Sequence, residues 1–153
     1  MPSLAQNKKA RFDYAILETF EAGLQLLGHE VKSARLGGAK LSGAYVTVHN
    51  GELNLINARI SPYAPAARQT ENYDPLRSRR LLLHKKEIAR LSGQMSENGL
   101  TVVPLSLYTK GRHLKLEIAL AKGKKQYDKR RAIKDREWKR EKRGMTGLAR
   151  WTR

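Results

Sequence analysis

The stretch that most limits what this chain can fold into is its basic end. From Ala121 to Arg143 it reads AKGKKQYDKRRAIKDREWKREKR. From Lys122 to Arg153 there are 14 Lys or Arg and 4 Asp or Glu, a net of +10. The first 121 residues carry 17 basic and 10 acidic side chains, a net of +7, and the two make up the chain's +17. Apolar residues in the run are sparse: Tyr127, Ala132, Ile133, Trp138, Met145, Leu148 and Trp151. Trp138 and Met145 share a helical face, and Ile133 lies well off it, so the apolar stripe is thin. High charge with little apolar area predicts disorder in the free protein. A polyanion would cancel the repulsion and let the run fold as a helix on binding. The core must therefore come from residues 1–121, with residues 122–153 as a basic tail. The plain alternative is a solvated tail without a specific role. Tyr127 and Trp138 argue against it, because flat rings stack on unpaired bases.

The overall charge of +17 in 153 residues points to an extended anionic partner, nucleic acid before membrane. There is no Cys, which excludes disulfides, thiolate metal sites and cysteine nucleophiles. MPSLAQNKKARF lacks the apolar segment of a secretory signal, and no run approaches the ~20 apolar residues of a membrane span. The expectation is a cytoplasmic protein with no membrane partner.

Residues 1–9 read as a flexible lead with a basic cluster at Lys8 and Lys9. Phe12–Phe20 alternates like a half-buried strand. Glu21–Leu36 shifts to a helical period through Leu24, Leu27, Val31 and Ala34. Gly28 is a possible start, Gly37-Gly38 a stop, and Lys32 and Arg35 share another edge. Tyr45–His49 and Leu53–Ile60 are strands joined by Asn50-Gly51, a strong hairpin turn. Residues 61–80 form a long irregular stretch whose arginines and tyrosines favour nucleic-acid contact. His84–Met95 is a short amphipathic helix. Leu100–Tyr108 and Leu114–Leu120 are antiparallel strands, and Pro104 marks an edge or bulge. This pattern predicts a mainly β fold: a small antiparallel OB-like barrel with two or three short flanking helices.

Enzyme signatures are weak. His29, His49, His84 and His113 show no ligand spacing. Gly23 and Gly28 fail as a phosphate loop, since His29-Glu30 stands where Lys and Ser or Thr are needed. Glu21 and Glu30 read as surface charges. No zipper or helix-turn-helix accompanies the basic run, which argues against DNA. No metal or cofactor is implied. A structural ribosomal protein and another RNA binder fit the composition equally.

The blocks NKKARFDYAI, EAGLQLLGHEVKSARLGGAKL, RRLLLHKKEI, LTVVPLSLYTKGRHLKLEIALAKGKKQYDKR and IKDREWKR resemble the SsrA-binding protein family, the partner of transfer-messenger RNA. The resemblance spans nearly the whole chain and weakens after Arg143. It implies an OB-like barrel that binds the tRNA-like domain of that RNA, as a monomer in a 1:1 complex, and delivers it to stalled ribosomes. It implies roles in RNA binding for Asn7, Glu21 and a leucine of the LLLH block, taken as Leu81. Lys8, Lys32, Arg35, His84 and Lys85 complete the expected RNA-binding set. It further implies that the tail enters the empty message channel and meets small-subunit rRNA. The residues concerned are Lys122, Lys124, Lys125, Tyr127, Asp128, Lys129, Arg130 and Trp138. Asn7→Ala or Glu21→Ala is expected to weaken RNA binding while leaving the fold intact, measurable by filter binding beside thermal melting.

Overall fold

A computed structural model describes residues 3–66 and 71–123. In chain order the elements are β1 (Ser3–Gln6), α1 (Lys8–Asp13), β2 (Tyr14–Leu24), α2 (Gly28–Arg35), β3 (Ala39–Lys40), β4 (Tyr45–His49), β5 (Glu52–Ile56) and β6 (Arg59–Ile60). A 3-10 turn follows at Ala64–Ala66. The chain then forms β7 (Arg79–Leu82), α3 (Lys85–Asn98), β8 (Thr101–Lys110) and β9 (His113–Gly123). The strands of the main sheet run β1-β8-β4-β5-β7-β2-β9, all pairs antiparallel. Because β8 also pairs β9, the sheet closes on itself as the expected small barrel, and β1 adds to one edge. A separate two-residue ribbon pairs β3 with β6.

Alternation fills the barrel. Leu114, Leu116, Ile118 and Leu120 of β9 point inward as their period requires, joined by Leu53, Leu55, Val46, Val102 and Leu107. Leu91 of α3 is fully buried against them, with Ile88 and Met95 beside it. The other face of β9 is not all solvent. Ala119 and Ala121, with Val103 and Leu105, pack under Ala10 of α1 and beside Tyr14 and Ile16. Register shifts in β2 between Ile16 and Glu18, and in β8 between Pro104 and Ser106, re-phase the strands around this second cluster.

Several sequence expectations change here. The lead is not a free tail, because residues 3–6 pair with β8 and α1 begins at Lys8. Phe12 and Asp13 are helical, so the strand starts at Tyr14. Glu21–Leu24 is strand, and the helix starts at Gly28. At its far end Gly37 has φ +89°, and a Cβ at Gly38 would lie 2.3 Å from Ser33 Oγ. The hairpin stands as read, with Asn50 at φ 51° and Gly51 at φ 75°. Its return strand ends at Ile56, because Asn57 adopts φ 63° and sends Arg59–Ile60 to pair with β3.

The stretch before β7 contains the main departure. Glu30 of α2 is not a surface charge: it is fully buried. Its carboxylate accepts from Arg79 Nε (2.9 Å) and Nη2 (2.6 Å), from Arg77 Nε (3.0 Å) and Nη2, from Tyr73 Oη (2.7 Å) and from the Leu27 N–H (2.8 Å). Arg79 is also fully buried and donates through Nη1 to the Ala58 carbonyl (2.6 Å). Arg77, Arg79 and Tyr73 therefore hold α2, β6 and β7 together, and are not an RNA-facing set. Burial alone would raise the Glu30 carboxyl. The bonds from Arg77, Leu27, Tyr73 and Arg79 outweigh it and hold the group at about 2. Burial and the bond to Glu30 push Tyr73 up to about 12.

Glu30→Gln leaves one buried and one half-buried guanidinium without a counter-charge. It is expected to lower the urea midpoint by the equivalent of about 3–5 kcal/mol. The folded carboxyl lies below its ordinary 4.5. Its stabilisation is thus complete above that value and lost as pH falls from about 5 toward 2, by about 3 kcal/mol. Urea melts across that range check this, since the Gln variant lacks this part of the loss.

Candidate nucleic-acid interface

Asn7 is a clip inside the fold. Its Oδ1 accepts from the Ala10 N–H (3.1 Å) and caps α1, while Nδ2 donates to the carbonyls of Pro104 (2.9 Å) and Leu41 (3.2 Å). Its own N–H donates to Leu105 O (2.8 Å), and the residue is buried. The expectation that Asn7→Ala spares the fold is corrected. Losing the cap and two buried carbonyl partners costs about 2–4 kcal/mol. What Asn7 presents outward is Lys8 and Lys9, both exposed. They occupy the first turn of α1, which contains no acidic residue. Cations there oppose the helix dipole, so local helix stability does not explain them. Lys85 and Lys86 stand the same way at the start of α3, beyond exposed His84, whose N–H donates to Glu87 Oε1 (3.3 Å).

Glu21 lies on the outer side of β2, directly opposite Glu117 of β9. Two like charges so placed repel, and each has its own cation. Lys110 Nζ sits 3.1 Å from Glu21 Oε1, and Arg11 Nη2 sits 3.2 Å from Glu117 Oε1. Tyr108 Oη also donates to Glu21 Oε2. The bond from Tyr108, then that from Lys110, holds the Glu21 carboxyl below its usual range; burial and the bond to Glu21 push Tyr108 up. A carboxylate has about four acceptor positions, so Glu21 keeps capacity for a base amino group or a 2′-hydroxyl.

Further along β2 the surface becomes a groove of about 230 Å³. Its floor is Gly23, Leu24, Leu26, Val31 and Leu82, and its rim carries Arg112, His113 and Lys115 from the β8–β9 hairpin. Leu82 is 49% exposed, whereas Leu81 is 1% exposed and belongs to the core. Leu81 thus lies beneath the surface, and Leu82 is the leucine of the pair that faces outward. Gly23 keeps the floor open, since a Cβ there would come within 3.2 Å of Leu82 Cβ. Arg35 Nη2 donates to the Arg112 carbonyl (3.2 Å) and fixes the hairpin tip against α2. Lys32 lies 5.7 Å from the centre of the Tyr63 ring. An apolar floor with cations along its rim is suited to unpaired bases and their phosphates.

Sequence reasoning missed Tyr108, Lys110, Arg112, His113, Lys115 and Leu82. The inside–outside alternation of Arg79, Arg80, Leu81 and Leu82 was available and points Leu82 outward. Lys122, assigned to the tail, pairs opposite Ala15 within β9. Lys124, Lys125, Tyr127, Asp128, Lys129, Arg130 and Trp138 lie outside the described residues. Among the described residues no group of three or more His, Asp or Glu could hold a metal ion, and no helix is long and apolar enough to cross a membrane.

Leu82→Ala is expected to weaken RNA binding with little change in melting temperature. Leu81→Ala is expected to cost about 2–5 kcal/mol of stability. Thermal melts and RNA titrations on the two variants separate a contact from a support.

Comparison with known proteins agrees over most of the chain. The model of the SmpB protein family matches residues 4–147. The SsrA-binding protein of Maricaulis maris (strain MCS10) is 56% identical over 140 residues, covering 91% of this chain and 88% of that one. The SsrA-binding protein of Sulfurihydrogenibium sp. (strain YO3AOP1) is 54% identical over 138 residues, covering 90% of each. Among solved structures, a chain from work on tmRNA-SmpB and the centre of the bacterial ribosome superimposes with a TM-score of 0.66 at 44% identity. That match covers 84% of this chain and 92% of that one. This chain, with its closed barrel, its groove beside β2 and its basic end, belongs to the SmpB family of SsrA-binding proteins.

Proposed function

We propose that this protein is an RNA-binding adaptor of trans-translation, without a catalytic step. It binds the tRNA-like domain of transfer-messenger RNA and delivers that RNA to stalled ribosomes in the cytoplasm. The observation that carries this reading is its family membership, with a relative of known structure from the tmRNA-SmpB ribosome work at 44% identity. The apolar groove and its basic rim supply a surface of the right chemistry.

In this reading the two ends divide the labour. Residues 1–121 hold the RNA: Lys8, Lys85, Lys32 and Arg35 meet phosphates, Glu21 meets a base amino group or a 2′-hydroxyl, and His84 and Leu82 border the bases. Asn7 and Leu81 hold that surface in place from inside. Residues 122–153 read the ribosome. Lys122, Lys124, Lys125, Lys129 and Arg130 meet small-subunit rRNA phosphates, and Tyr127 and Trp138 stack on exposed bases. A basic segment of this kind enters an RNA-walled channel only when message does not fill it, so channel occupancy is the signal. One adaptor bound to one RNA suffices.

A form ending at Gly123 keeps every described barrel strand. It is expected to retain most affinity for the tRNA-like domain at fixed salt and to lose peptide tagging on ribosomes stalled at a message end. Loss of specific RNA binding in that form would show that the tail, and not the barrel, holds the RNA.

A further inference from the structure

The ribbon formed by β3 and β6 places Lys40 directly opposite Arg59, with both side chains exposed and Ala39 and Ile60 turned into the core. Opposed residues of an antiparallel pair have Cβ atoms about 4.5–5.5 Å apart, and like charges there repel. Elsewhere the fold neutralises such crowding. The Glu21–Glu117 pair has Lys110 and Arg11. Among the described residues no carboxylate pairs with Lys40 or Arg59.

The ribbon is also held firmly enough to keep the charges together. The Leu41 carbonyl, one residue after Lys40, accepts from Asn7 Nδ2. The Ala58 carbonyl, one residue before Arg59, accepts from buried Arg79. The Ile60 N–H donates to Pro75 O (3.0 Å), and the Ser61 N–H donates to Gly38 O (2.9 Å). A two-residue ladder without these anchors would splay to separate its cations.

We propose that Lys40 and Arg59 form a clamp for a backbone phosphate of RNA, separate from the groove beside β2. Through Leu41 and Asn7 the clamp is built onto the same clip that presents Lys8 and Lys9. The inference rests on the adaptor reading above. The phosphate comes either from the tRNA-like domain or from small-subunit rRNA, and the two sources are separable.

The test uses the full-length chain with Lys40→Gln, Arg59→Gln and both together. Titrations against the isolated tRNA-like RNA and against purified small ribosomal subunits, each across a salt series, are paired with thermal melts at low salt. The clamp predicts that the double variant binds one of the two RNAs about threefold or more weakly, with the salt slope smaller by about 1. Its melting temperature should rise, because the repulsion is relieved. The RNA that loses affinity identifies the source of the phosphate. Unchanged affinity and slope on both RNAs would overturn the clamp. Weaker binding with an unchanged slope and a lower melting temperature would also overturn it, since that is damage to the fold. Failure of the wild-type chain to bind the tRNA-like RNA would instead overturn the adaptor reading.

Discussion

A carboxylate removed from water is tolerated only when paired and fully hydrogen-bonded, and Glu30 meets both conditions. Its partners come from Leu27 at the start of its own helix, from Tyr73 and Arg77 in the loop before β7, and from Arg79 of β7 itself. The same cluster reaches β6 through Tyr73, whose Oη donates to the Ile60 carbonyl (2.9 Å), and reaches the residue before it through Arg79 and the Ala58 carbonyl. Without it, α2 has little to hold it to the barrel, since its mean composition is polar and only Glu30, Ser33 and Ala34 are buried. The consequences reach the surface. α2 positions Arg35 against the β8–β9 tip, and β7 positions Leu82 beside Gly23. An interior ion cluster therefore sets the shape of an exterior groove.

The exterior charges follow a complementary logic. Glu18, Glu21, Glu52 and Glu117 each pair with a cation of the same fold. Lys8, Lys9, Lys40, Arg59 and Lys85 form no ion pair with a carboxylate among the described residues. Exposed ion pairs contribute little to stability, but they decide which charges face outward uncompensated. Glu71, Asp74, Glu87 and Glu97 also lack an ion-pair partner among the described residues, but the basic residues outnumber them, on a chain whose net charge is +17. Such a field draws in a polyanion along much of the surface before any specific contact forms.

What the sequence made legible follows from what is local. The Asn50-Gly51 hairpin, the β9 alternation and the α3 stripe are written in neighbouring residues, and they stand as read. The family resemblance was legible because its blocks are long and in order. The Glu30 cluster was not legible, since its members lie up to 49 positions apart and nothing local marks that glutamate as buried. Glu21–Leu24 reads as helix because leucine spacing fits both periods, whereas the pairing of Glu21–Gly23 with Glu117–Lys115 and of Leu24 with Leu81 decides for strand. The resemblance singles out Asn7 and Leu81, but nothing local in the sequence shows that both are buried inside the fold. Leu82, the outward neighbour, needed only the alternation already present.

The account's central claim is that the barrel surface holds the RNA and is shaped in advance by its interior. Amide hydrogen exchange on the full-length protein, free and with the tRNA-like RNA, tests it most directly. The prediction is strong protection of 30–35 and 79–82 already in the free protein, with new protection on RNA binding around 8–9, 21–26 and 110–115. Protection confined to residues 124–153, with the barrel unchanged, would contradict it.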